Sequence, residues 1–111
     1  MELDHESNER ATDLLDPVVR DAIVHITARQ FSTKRLIEEV CSTANGAEAY
    51  QQALAIAEEA GADATMARHI VHGQIIPFIL RGSGLVRFAG FIHGMPSEDD
   101  GYGVPSRWRR L

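Results

Sequence analysis

Apolar residues recur at three- and four-residue spacing from Val18 onward (Val18, Val19, Ala22, Ile23, Ile26), the period of an amphipathic helix. Asp16-Pro17 reads as its start, with Asp as N-cap and Pro at the first helical position, and the pattern runs to about Arg29. Upstream, residues 1–15 carry much charge and little period. They are expected to form a mobile arm, with residues 16–111 as a single domain. Phe31 leads into Ser32, which can cap a second helix through about Ser42, with Leu36, Ile37 and Val40 facing inward. Asn45-Gly46 reads as a turn, and Ala47–Ala60 as a third, Ala-rich helix carrying Glu48, Glu58 and Glu59.

After Gly61, Asp63 can cap a fourth helix, which should stop near Gly73 because Pro77 cannot sit inside a helix. Gln74–Leu80 is almost wholly apolar and must be buried, as helix or as strand. Gly82-Ser83-Gly84 is a turn. Leu85–Ile92 then alternates as a strand, with Arg87, Ala89 and Phe91 on one face and Val86, Phe88 and Ile92 on the other. Met95–Gly103, with Glu98, Asp99 and Asp100, predicts an exposed loop, and Val104–Leu111 a returning strand.

The stretch Gln52–His72 carries a finer pattern. Ile56, Ala57, Ala60, Ala62, Ala67 and Ile70 place small or apolar side chains where two helices would meet across Gly61. Ala57 allows a close crossing, and Gly61 can adopt the left-handed conformation that ends a helix within one residue. This spacing resembles the helix-turn-helix of DNA-binding proteins. With the hairpin that follows, residues 16–111 resemble the winged-helix superfamily in architecture. The resemblance implies a mainly α (α+β) fold, a bundle of about four helices with a C-terminal two- or three-stranded β-hairpin wing.

Composition narrows the function classes. A chain of 111 residues can bury a core without disulfides or metal, and the single Cys41 permits no intrachain bridge. The acidic, polar start and the lack of any long apolar run point to a cytoplasmic protein with no membrane contact. Net charge is −5, but it is unevenly spread. Residues 1–67 hold thirteen acids against five bases, residues 68–111 three against six, so the C-terminal half could present a positive face to phosphates.

The winged-helix resemblance implies that residues 63–72 are the recognition helix, with Thr65, Arg68, His69 and His72 pointing outward. Arg68 could donate to guanine O6 and N7, the histidines to bases or phosphates, and Thr65 to a phosphate or a thymine methyl. Arg87, Arg107, Arg109 and Arg110 on the wing would meet phosphates. Trp108 between them is a stacking residue or, more ordinarily, a packing one. The acidic Glu98-Asp99-Asp100 tip would repel DNA and favours contact with a protein.

His69-x-x-His72 puts two imidazoles on one helical face, but a metal site needs a third ligand, so no metal or cofactor is expected. No nucleophile triad, phosphate loop or H-E-x-x-H pattern occurs, so an enzyme is not expected. Two functions remain. One is a sequence-specific protein for double-stranded DNA, a small transcriptional regulator that pairs as a homodimer. The other is a winged-helix protein-interaction or scaffolding module that uses its acidic surface and binds no nucleic acid.

Overall fold

The computed structural model describes residues 2–91 and 106–111. Its elements run α1 (His5–His25), β1 (Gln30–Ser32), α2 (Thr33–Val40), α3 (Ala44–Glu59), α4 (Ala64–Ile70), a π-turn (Val71–Ile75), α5 (Ile76–Gly82), β2 (Val86–Phe91) and β3 (Ser106–Arg110). The fold is mainly helical, with one small antiparallel sheet in the order β1-β3-β2, a winged-helix-like layout. None of the described helices is long and apolar enough to cross a membrane.

The first helix begins much earlier than Asp16-Pro17. Asp4 is its N-cap, accepting from the Ser7 amide at 3.1 Å, and the expected mobile arm is helical from His5 onward. The reason is burial. Ala11 and Leu15 are wholly enclosed and extend the stripe formed by Val18, Val19, Ala22 and Ile23. Pro17 costs the helix one hydrogen bond but is carried by that packing. Asp16, freed from capping, instead accepts from Arg20 Nε at 3.0 Å, and Arg20 Nη1 reaches the Ser83 carbonyl at 3.2 Å, tying α1 to the end of α5.

Ser32 caps α2 as expected, accepting from the Arg35 amide at 3.0 Å, with Leu36 and Val40 buried. Asn45-Gly46 is not a turn. Both residues lie in the first turn of α3, because Thr43 is the N-cap and accepts from the Gly46 amide at 3.0 Å. Gly46 is required there by a close approach: a Cβ would stand 1.9 Å from the Val40 carbonyl oxygen.

The α3–α4 junction follows the expected seam. Ala62 N–H bonds the Ala57 carbonyl and Gly61 N–H the Glu58 carbonyl, a Schellman cap with Gly61 at φ 110°. Ala57, Ala67 and Ile70 are fully buried along it, Ala60 at the end of α3 is only half-buried, and Asp63 caps α4 by accepting from the Met66 amide at 2.7 Å.

Pro77 does not stop the fourth helix near Gly73. The chain widens into the π-turn, in which the Ile76 amide bonds the Val71 carbonyl five residues back, and then continues as α5. The widened turn falls where the proline ring would otherwise crowd the Gly73 carbonyl. The apolar run Ile75–Leu80 is therefore helical, with Ile75, Ile76, Ile79 and Leu80 buried. The sheet still has three strands. The third is Gln30-Phe31-Ser32, which pairs with Arg109, Trp108 and Arg107.

Trp108 is the centre of the sheet. It lies opposite Phe31 on one side and Phe88 on the other, is wholly buried, and donates from Nε1 to Thr33 Oγ1 at 2.9 Å. That bond joins strand β3 to the first residue of α2. Thr33→Val would leave the indole N–H without an acceptor, a loss of about 1–3 kcal/mol expected in urea unfolding, with most of it recovered by Thr33→Ser.

Candidate functional site

Thr65, Arg68 and His69 are exposed on α4, three and four residues apart and so on one helical face. Arg68 and His69 also engage neighbouring groups, so neither is a free end. His72 does not belong to the outward set. It is half-buried at the π-turn, with Nε2 2.6 Å from the Tyr50 hydroxyl and the two rings stacked at 5.7 Å. Tyr50 is buried on α3, and its hydroxyl finds its partner in this ring. His72 thus holds α4 against α3.

The wing arginines divide by strand alternation. Trp108 points inward with Phe31 and Phe88, so Arg107, Arg109 and Arg87 project from the outer face of the sheet. Arg87 and Arg109 are direct cross-strand partners. Two guanidinium side chains in that position repel each other, and no acid among the described residues pairs with either.

Arg107 lies farther along β3. Its Nε and Nη2 both reach the Ala89 carbonyl, at a long 3.4 Å. That carbonyl sits at an irregularity in β2, where the register shifts between Phe88 and Phe91 and Gly90 takes φ 91°. The extra residue also reverses the expected alternation. Phe91 shares the face of Phe88, which it meets edge-on at 5.2 Å, and is not on the Arg87 face.

Arg110 lies on the inner side, opposite Val86, and its amide donates to the Arg29 carbonyl at 2.9 Å. Arg29, Arg109 and Arg110 line a shallow depression at this end of the sheet. Two arginines are additions to the expected site. Arg29 read as the end of a helix, and only strand pairing brings it to the wing. Arg81, on α5, lies over the Phe88 and Trp108 rings at 5.9 and 5.7 Å, and gave no local signal.

The α4 face and the wing form separate footprints. α4 packs on α3, whereas the sheet packs on α5 and α2. Arg81 lies thirteen positions beyond Arg68 along nearly continuous helix, which at ~1.5 Å per residue is roughly 20 Å. The described residues 68–91 and 106–111 contain six arginines and no Asp or Glu. The acidic tip Glu98-Asp99-Asp100 lies outside the described residues.

Among the described residues no group of three His, Cys, Asp or Glu is arranged to hold a metal ion. Cys41 is half-buried at the end of α2, and desolvation raises its thiol pKa above the ordinary value. A cleft between α1, α2 and the start of α3 holds Asp21, His25 and Glu39. His25 Nδ1 donates to the Asp21 carbonyl at 2.9 Å and lies 3.7 Å from the Asp21 carboxylate. Neither a protein-family model, nor a curated protein, nor a solved structure matches this chain.

The His25 pKa is raised, first by its bond to the Asp21 backbone and second by the Asp21 charge. Its contribution to stability is complete below the unfolded imidazole pKa and disappears as pH rises through the folded one. NMR titration should therefore give a raised His25 midpoint that Asp21→Asn lowers only in part, since the larger cause remains. The opposed arginines make a second test. Arg87→Gln should stabilise the free protein by about 0.2–1 kcal/mol in thermal unfolding, the effect shrinking at high salt.

Proposed function

We propose that the protein is a sequence-specific binder of double-stranded DNA, a small cytoplasmic transcriptional regulator of winged-helix type, with residues 63–72 as its reading helix. One observation carries this reading. Arg87 and Arg109 face each other on the outer surface of the wing, and among the described residues no acid pairs with either. Such a pair costs stability in the free protein, and a polyanion would turn that cost into attraction.

In this reading the roles divide by position. Arg68 presents a planar fork to guanine O6 and N7 in the major groove, with Thr65 and His69 beside it. Arg87 and Arg109 hold phosphates and set the register of the protein on the duplex, and Arg107 and Arg110 add positive charge. His72 acts through Tyr50 by fixing the angle at which α4 leaves α3. A homodimer would place two reading helices on successive half-sites.

Exposed Glu38, Glu48, Glu58 and Glu59 on α2 and α3 favour a second reading, a protein-interaction module without nucleic acid. Anisotropy titration with random duplex DNA at low salt and at ~150 mM separates the two. Affinity that falls steeply with salt supports the DNA reading, and no binding at low salt favours the protein module. Arg68→Ala should cost about 1–3 kcal/mol at a selected site and relax the preference there. Arg109→Ala should weaken all sequences alike and flatten the salt dependence. Identical behaviour of the two variants on every sequence would defeat the reading-helix assignment.

A further inference from the structure

The inner edge of the wing is unlike its outer face. Three phenylalanines are exposed near the α5–β2 corner: Phe78 at 65 %, Phe88 at 40 % and Phe91 at 45 % of their surface. Phe88 and Phe91 touch edge-on, and Arg81 extends over Phe88. Phe78 lies three residues before Arg81 on α5, hence on the same side of that helix. The sheet order leaves β2 at an edge, with one side of its backbone unpaired among the described residues. Exposed aromatic surface of this extent on a strand edge would ordinarily invite aggregation.

Charge selects the occupant. Arg81 flanks the aromatic edge from the helix side and Arg87 from the outer face, and neither β2, β3, α5 nor the π-turn contains an acid. The edge therefore suits a partner that is anionic along its length and carries flat apolar groups. A single nucleic-acid strand has both, phosphates for the arginines and base faces for the phenylalanines. A duplex offers the phosphates but keeps its base faces stacked inside.

Resting on the DNA reading above, we infer that the Phe88–Phe91 edge of β2, flanked by Arg81 and Arg87, is a stacking platform for unpaired bases. The protein then holds duplex DNA through α4 and the outer wing face, and a displaced or unpaired strand along the β2 edge. Phe91 stacks on an unpaired base, Phe88 supports its ring edge-on from behind, and Arg81 and Arg87 neutralise the flanking phosphates.

The test is anisotropy at low salt with three labelled probes: a ~20-nucleotide oligo-dT strand, a random duplex of equal length and a ~20-residue polyglutamate peptide. The full chain should bind oligo-dT at least as tightly as the duplex. Phe91→Ala, at an exposed position, should weaken oligo-dT about tenfold. Duplex affinity should stay within about twofold, and Phe91→Tyr should restore the single-strand affinity, since it keeps a stacking face. Arg87→Ala should weaken both nucleic acids.

Duplex binding without single-strand binding, or equal losses on both in Phe91→Ala, overturns the platform and leaves the DNA reading intact. Polyglutamate bound as tightly as oligo-dT, with the same sensitivity to Phe91→Ala, overturns it in favour of an acidic peptide. Failure to bind either nucleic acid defeats the DNA reading itself, and the platform with it.

Discussion

The arrangement depends on a single buried side chain. Trp108 has no exposed surface, stands between Phe31 and Phe88 in the middle of a three-stranded sheet, and donates its one polar hydrogen to Thr33. A buried indole N–H without an acceptor is costly, so this bond determines how the sheet sits on α2 as well as where the ring packs. The neighbouring positions follow. With position 108 inward, Arg107 and Arg109 must face outward, and cross-strand pairing brings Arg87 beside Arg109. The charge of the wing is thus a geometric consequence of where its tryptophan is buried.

What could be read from the chain was largely what is local. The α3–α4 seam of Ile56, Ala57, Ala67 and Ile70, the Gly61 turn and the caps at Ser32 and Asp63 each involve residues a few positions apart. The helical body with a hairpin wing followed from the same periodicities. Proline was less reliable as punctuation. At Pro17 the burial of Ala11 and Leu15 carries a helix through, and at Pro77 a π-turn does so. Strand β1 has only three residues, and its partners lie more than seventy positions away, so no local pattern marks it.

The candidate site was legible in part for the same reason. Alternation assigned Arg87 to an outer face, but the extra residue near Gly90 moved Phe91 to the opposite one. Helical spacing placed His72 with Arg68 and His69, yet Tyr50, on another helix, claims its ring. Arg29 and Arg81 reach the wing only through tertiary contacts. For His72 and Arg81 a partner distant in sequence decides the place of the side chain, and for Phe91 the irregularity in β2 does. The partition of charge, thirteen acids against five bases in residues 1–67 and three against six in residues 68–111, needed only counting.

The π-turn at Val71–Ile75 acts as a phase shifter. α4, the widened turn and α5 form nearly one shaft, clamped at one end by the seam to α3 and at the other by Arg81 against the sheet. One residue corresponds to roughly 100° of rotation in a 3.6-residue helix. The single additional residue in the turn therefore sets the direction of the Arg68 face relative to the wing, as an offset sets the throw of a crank. Loss of that residue could preserve both ends of the shaft as helices and still point α4 away from any surface the wing touches. In this chain, helix length and helix phase are separate controls, and the second resides in five residues.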